Sequence, residues 1–168
     1  MLIAMAQLFG KKGAKMPVLL VEQNHEASDY PDVVEFLQPV KIEGTLTNED
    51  EIFVLEAKCA TEIALECSRC LAPVKQKICF ELKERFAHTG IEDEETQTFS
   101  GDQIDLTVSV RRGIIEELPM RVLCHEDCKG LCPACGNNLN TGDCGCDTTE
   151  RDPRFAGLLG LFDENEEV

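Results

Sequence analysis

Eight cysteines set in four close pairs constrain this chain more than any other feature. Two residues separate Cys67 from Cys70, three separate Cys124 from Cys128, two separate Cys132 from Cys135, and one separates Cys144 from Cys146. Thiols at such spacings can deliver two sulfurs to one ion, and eight thiolates suffice for two closed tetrahedral zinc sites. The other common use of many cysteines, a disulfide framework, belongs to oxidising compartments. The opening MLIAMAQLF is apolar but lacks the positive leader and small-residue cleavage site of a secretory signal. The expected setting is therefore the reducing cytoplasm, where paired thiols bind metal. No apolar run approaches the roughly 20 residues of a bilayer span, so no membrane partner is expected.

The strongest signal is Cys132-Pro-Ala-Cys-Gly136, in which the turn aims backbone N–H groups at the sulfurs and the glycine permits a positive φ. This is the knuckle of zinc ribbons and rubredoxins, and Cys144 and Cys146 lie near enough to complete a first site. The stretch from Cys124 to Cys146 has almost no apolar content, so a metal is expected to supply its folding energy. A second site takes Cys67, Cys70, Cys124 and Cys128. The spacing leaves rivals open: Cys124, Cys128, Cys132 and Cys135 on one ion, His125 in place of Cys124, or iron instead of zinc in the Cys132 knuckle. A redox dithiol at Cys67 and Cys70 is disfavoured, because such pairs sit at a helix N-terminus and this one runs into Pro73 and a strand. Cys59 reads as a small buried hydrophobe. Cys79 faces the other side of its strand and has no near partner in sequence.

The expected fold class is α+β, an antiparallel β-meander covered by a helix, with a C-terminal Cys-rich zinc-knuckle module and a short terminal helix. From Pro39 the hydrophobic period becomes two. Val40, Ile42 and Leu46 form one strand, Asn48-Glu49-Asp50 a polar turn, and Phe53, Leu55, Ala57, Cys59, Ile63 and Leu65 the next inward face. A third strand turns Ile78, Phe80, Leu82 and Phe86 inward and Lys75, Lys77, Glu81, Lys83 and Arg85 outward. Asp105 is expected to cap a helix that carries Leu106, Val110, Ile114 and Leu118 at four-residue spacing and stops at Pro119. This helix covers the sheet's apolar face. Residues 1–34 read as a flexible arm with a short strand at Val18–Val21, residues 35–122 as the meander and helix, and residues 123–168 as the zinc module. That last segment includes a helix through Phe155, Leu158, Leu159 and Phe162 and an acidic tail from Asp163. A further acidic loop is expected around Glu92–Glu95.

Sixteen basic against thirty-two acidic residues give a net charge of −16. Most nucleic-acid affinity comes from neutralising phosphates, so such a chain approaches RNA only where its cations are concentrated. Between residues 69 and 85, Arg69, Lys75, Lys77, Lys83 and Arg85 oppose only Glu81 and Glu84, and these five are the candidate RNA contacts. Their rival role is cross-strand pairing with Glu56, Glu62 and Glu66, and no aromatic shares their face for base stacking. The three histidines are scattered. No metalloprotease, phosphate-loop or serine-nucleophile motif occurs, so no enzyme activity and no small-molecule substrate are expected.

Several motifs fall in a specific order: Cys67-Ser-Arg-Cys-Leu-Ala-Pro73, Asp105-Leu106 ahead of Leu118-Pro119, Cys124-His-Glu-Asp-Cys-Lys-Gly-Leu-Cys-Pro-Ala-Cys-Gly-Asn-Asn-Leu-Asn140, and Asp152-Pro-Arg-Phe155. Over roughly residues 35–162 the chain resembles the YceD family, the large ribosomal RNA subunit accumulation proteins. The resemblance implies a cytoplasmic bacterial protein, or an organelle relative, needed for normal levels of 23S ribosomal RNA. Some family members keep the Cys67/Cys70 type of pair without the full C-terminal cluster, which implies separable sites and favours joining 67/70 to 124/128. Two partners then compete: 23S ribosomal RNA itself, or a basic large-subunit ribosomal protein for which this chain is an acidic adaptor or chaperone.

Overall fold

The computed structural model describes residues 1–23, 26–50, 52–88 and 96–147. The acidic Glu92–Glu95 stretch, His25, and the expected terminal helix and tail lie outside the described residues. Contacts divide the chain into two compact units, Met1–Cys124 and His125–Val168. No helix among the described residues is long and apolar enough to cross a membrane.

The first unit is mostly sheet. Its strands are β1 (Leu2–Ala4), β2 (Lys15–Glu22), β3 (Val33–Phe36), β4 (Val40–Glu49), β5 (Ile52–Glu66), β6 (Pro73–His88), β7 (Thr96–Phe99) and β8 (Gln103–Asp105), followed by helix α1 (Thr107–Glu117). The expected meander is its centre: β4 pairs antiparallel with β5, and β5 with β6, in unbroken register from Ile52↔Ala87 to Glu66↔Pro73. Alternation is what makes these long strands, since one face buries Phe53, Leu55, Cys59, Ile63, Ile78, Leu82 and Phe86 while the other stays largely wet, the buried Ala64 and Ala87 apart. β2 extends the sheet beyond β4, β3 pairs with the far end of β5, and β7 lies parallel to the end of β6. α1 buries Val110 and Ile114 and packs beside β6.

Three expectations need correction. The described residues of the 1–34 segment, expected as a flexible arm, carry paired strands. β1 pairs with β8, β2 pairs with β4 over eight residues, and Met5 and Leu8 are buried. Asn48 is not a turn residue: it lies buried in β4, one residue before the strand's end, donates from Nδ2 to the Leu8 carbonyl at 2.7 Å, and exchanges backbone bonds with Gly13 and Ala14. An amide buried at a strand end must find partners, and the N-terminal segment supplies them. Glu84, counted from the sequence only as a charge opposing the nearby cations, shares the parity of Leu82 and Phe86. It lies inward, 8% exposed, accepting from Arg112 Nη2 at 2.6 Å and Gln97 Nε2 at 2.8 Å.

The second unit contains no named helix or strand among its described residues. An isolated bridge joins Leu131 to Asn138, and Leu139 N–H donates to the Gly130 carbonyl. Among its described residues the buried positions are Cys128, Gly130 and Cys132, so sulfur stands where another module would place leucine.

Candidate metal centres

The connection between β5 and β6 is a tight turn around two sulfurs. Cys67 N–H donates to the Ala72 carbonyl and Leu71 N–H to the Cys67 carbonyl, both at 2.9 Å. Leu71, the residue after the second cysteine, adopts φ 59°. The second unit repeats this turn: Cys132 N–H donates to the Asn137 carbonyl and Gly136 N–H to the Cys132 carbonyl, both at 2.8 Å, with Gly136 at φ 73°. The two Cys-x-x-Cys segments thus share one hydrogen-bond pattern and one left-handed position.

In the first unit the chain leaving α1 returns to the turn. Ser68 N–H donates to the Val122 carbonyl at 2.8 Å and Val122 N–H to Ser68 Oγ at 3.1 Å. Cys124 is thereby delivered with its Sγ 3.6 Å from that of Cys70, and its N–H donates to Cys67 Sγ at 3.4 Å. The sulfurs of Cys67, Cys70 and Cys124 lie within 4.8 Å of one another. Zinc–sulfur bonds of about 2.3 Å place tetrahedral sulfurs roughly 3.8 Å apart, so the spacing suits a metal. In the second unit Cys132, Cys135, Cys144 and Cys146 form a group within the same 4.8 Å limit. Cys132 and Cys135 therefore lie beside the later pair, Cys144 and Cys146. Cys128, also in the second unit, is buried, and Asn140 Nδ2 approaches its sulfur at 3.4 Å.

The thiols divide electrostatically, with Cys67 and Cys132 lowered and Cys144 and Cys146 raised. Burial pushes Cys67 up, but the backbone N–H groups of Arg69, Cys70 and Cys124, with the Cys70 thiol, outweigh it and bring Cys67 down to about 6. The N–H groups of Cys135 and Ala134 lead in lowering Cys132 to about 7. Hydrogen bonding with the sulfurs of Cys135 and Cys144 leads in pushing Cys146 up to about 12, with burial and then the negative charge of those two sulfurs adding to it. A divalent ion removes that repulsion. Cys59 behaves differently: it is buried in the core and raised to about 11 by burial alone, while Cys79 is exposed.

The candidate RNA contacts are placed less favourably. Arg69 sits in the Cys67 turn, and Lys75, Lys77 and Lys83 are exposed on the wet face of β6. The register sets Glu62 opposite Lys77 and Glu56 opposite Lys83, while Lys75 faces Ala64 and Arg85 faces Val54. Glu66 faces Pro73, not a cation. Asn140 was missed as a supporting residue. Besides approaching Cys128, it accepts from Lys129 N–H at 2.8 Å and donates from Nδ2 to Asn138 Oδ1 at 2.8 Å. Its place at the end of the quoted cysteine motif was the available signal.

A family model described as "Large ribosomal RNA subunit accumulation protein YceD" matches residues 55–162. An uncharacterized protein of Mycobacterium tuberculosis (strain H37Rv) is 37% identical over 103 residues, covering 58% of this chain and 49% of its own length. The chain thus spans about half the length of that mycobacterial relative. The uncharacterized protein YlbN of Bacillus subtilis is 30% identical over 135 residues, covering 78% of each chain. A chloroplastic large ribosomal RNA subunit accumulation protein, YCED homolog 1 of Arabidopsis thaliana, is 23% identical over 174 residues, covering 84% of this chain and 53% of that one. No solved structure matches.

Proposed function

The chain belongs to the YceD family, and we propose that it is a non-enzymatic, zinc-binding ribosome-biogenesis factor of the cytoplasm that supports accumulation of 23S ribosomal RNA and the large ribosomal subunit. The observation that carries the zinc reading is the repeated Cys-x-x-Cys turn, each copy with further thiols beside it. One zinc would be held by Cys132, Cys135, Cys144 and Cys146. The other would be held by Cys67, Cys70 and Cys124, with Cys128, four residues along the chain, as the fourth ligand. Four thiolates leave no open coordination position, so the ions serve folding and not catalysis. The domain reading changes accordingly: the N-terminal strands belong to the sheet unit, and the zinc module begins after Cys124.

Between the two partner readings, charge favours an acidic adaptor for a basic ribosomal protein. A net charge of −16 repels phosphate, and Lys77 and Lys83 are already opposite carboxylates. The deciding experiment recovers the untagged protein from cells and treats the complex with nuclease. A ribosomal protein that stays bound supports the adaptor. Loss of every partner with the RNA, together with tight binding to isolated 23S fragments that charge reversal at Lys75, Lys77, Lys83 and Arg85 abolishes, supports direct RNA contact instead. Metal-dependent RNA cleavage by the purified chain, abolished by a single carboxylate substitution, would overturn the non-enzymatic reading.

A further inference from the structure

β6 is open along much of its length. β7 pairs with it only at Arg85–His88, so among the described residues Pro73–Glu84 has no strand beside the edge turned away from β5. Ladder parity identifies the backbone groups that face this edge. Pro17 has no N–H and lies in edge strand β2 opposite Thr45, so its nitrogen belongs on the open side and Thr45 bonds toward β5. Carried across the register, even-numbered residues of β5 bond toward β4 and odd-numbered ones toward β6. The Leu37 and Gln38 N–H groups, both donating to the Glu62 carbonyl, agree. Leu82 and Glu84, opposite Ala57 and Leu55, then bond to β5. The N–H and C=O groups of Cys79, Glu81 and Lys83 face outward.

α1 forms one wall of this edge. Gly113 lies so close to Phe80 that a Cβ would come within 2.3 Å of the ring, and Arg112 is tied to Glu84. The groove between strand and helix measures about 460 Å³ and is lined by Phe80–Glu84 together with Ser109, Arg112, Gly113, Glu116 and Glu117. Its carboxylates are Glu81, Glu84, Glu116 and Glu117. Its cations are Lys83 and Arg112, and Glu84 already holds Arg112.

We propose that this groove docks an extended lysine- or arginine-rich segment of a protein partner, which adds as a strand to β6 at Cys79–Lys83 against α1. Backbone bonding to an open edge supplies affinity without demanding a sequence, and the excess of carboxylates selects basic side chains. A second copy of this chain, or its own Asp163–Val168 segment, would bring negative charge to a negative groove. The β2 edge is a poorer acceptor because Pro17 interrupts its row of donors. The inference rests on the adaptor reading and gives it a site.

The test titrates the full-length, ¹⁵N-labelled chain with the peptide Lys-Val-Lys-Thr-Lys-Val-Lys. It repeats the titration with the peptide N-methylated at alternate residues in each of the two frames, and with a glutamate-for-lysine peptide. The amides of Cys79, Glu81 and Lys83 are expected to gain protection from solvent exchange. Methylation in one frame should weaken binding by about tenfold or more, as should Glu81→Lys with Glu117→Lys, with far-UV circular dichroism unchanged. The glutamate peptide should not bind. Binding that leaves the three amides unprotected, or that survives methylation in both frames, overturns the proposal. So does protection of those amides by an RNA oligonucleotide in preference to the peptide. Co-purification from cells separates this outcome from the adaptor reading. If a ribosomal protein accompanies wild type and the double variant equally, the groove fails and the adaptor stands. If none accompanies wild type while the peptide still protects the amides, the adaptor fails and the groove stands.

Discussion

Leu71 carries a cost that Gly136 avoids. Both follow the second cysteine of a Cys-x-x-Cys turn with positive φ, but a side chain in that region costs roughly 1–2 kcal/mol. Leu71 is 56% exposed, so removing it forfeits little burial. Leu71→Gly is expected to raise stability by about 0.5–1 kcal/mol after the glycine's added unfolded-state entropy is subtracted, as read by urea unfolding of the metal-loaded protein. Gly136→Ala should lower it by a similar amount. Asp105 was expected as the cap of α1, and its side chain does serve the helix start: Thr107 N–H and Oγ1 donate to its Oδ1 at 2.9 and 2.6 Å, although Leu106 occupies the cap position itself. The Thr107 hydroxyl, outweighing burial, holds the Asp105 carboxyl below its ordinary value. A lowered carboxyl contributes stability above the ordinary aspartate pKa of about 3.9 and loses it as pH falls through the folded value. Asp105→Ala should therefore cost about 0.5–1 kcal/mol at neutral pH, with the gap from wild type closing below about pH 4.

Among the elements, α1 and β6 are joined by the one buried carboxylate in the core face of the sheet's described residues. Glu84 is 8% exposed but its partner Arg112 is 60% exposed, so deleting the glutamate lets the guanidinium return to water. Gln97 keeps its bond to Ser109 at 2.8 Å. The cost of Glu84→Ala is then expected near 1–2 kcal/mol, short of the roughly 3–5 kcal/mol of a fully buried pair broken on one side. Denaturant midpoints of Glu84→Ala and Arg112→Ala, with the double variant to close the cycle, measure it. The two thiol groups should also separate at this scale. Cys132→Ser is expected to unfold the second unit while the β-sheet circular dichroism of the first persists. Cys67→Ser is expected to release one equivalent of metal and expose the α1–β6 amides to exchange first.

For the whole molecule, about two zinc ions per chain are expected in freshly purified, reduced protein. Elemental analysis giving well under two equivalents would remove a site, and visible absorbance would point to iron. Cys59→Ala and Cys79→Ala should leave the metal content unchanged, since the first is a core side chain and the second stands apart from both thiol groups. Chelation should unfold the second unit cooperatively, because among its described residues the buried positions are Cys128, Gly130 and Cys132 alone.

The long alternating runs of β4, β5 and β6 and the four-residue period of α1 were legible because side-chain direction in a strand or helix follows from local geometry. The cysteine pairs were legible for a similar reason: one or two intervening residues bring two sulfurs together whatever the rest of the chain does. The N-terminal segment was legible only as the short strand expected at Val18–Val21, which lies within the longer β2. Leu2–Ala4 becomes a strand only through Gln103–Asp105, about a hundred residues on, and Pro17 hides a strand that is tolerable solely because β2 lies at an edge. Spacing set Cys144 and Cys146 near enough to Cys132 and Cys135 to expect one group, and a second group of Cys67, Cys70, Cys124 and Cys128 was expected beside it, but several pairings satisfy the same ligand count and spacing left the rivals open. Where the chain leaving α1 crosses the Cys67 turn chooses among them, through two hydrogen bonds between Ser68 and Val122. Contacts between residues far apart in sequence depend on how the elements pack, and local periodicity carries no record of that.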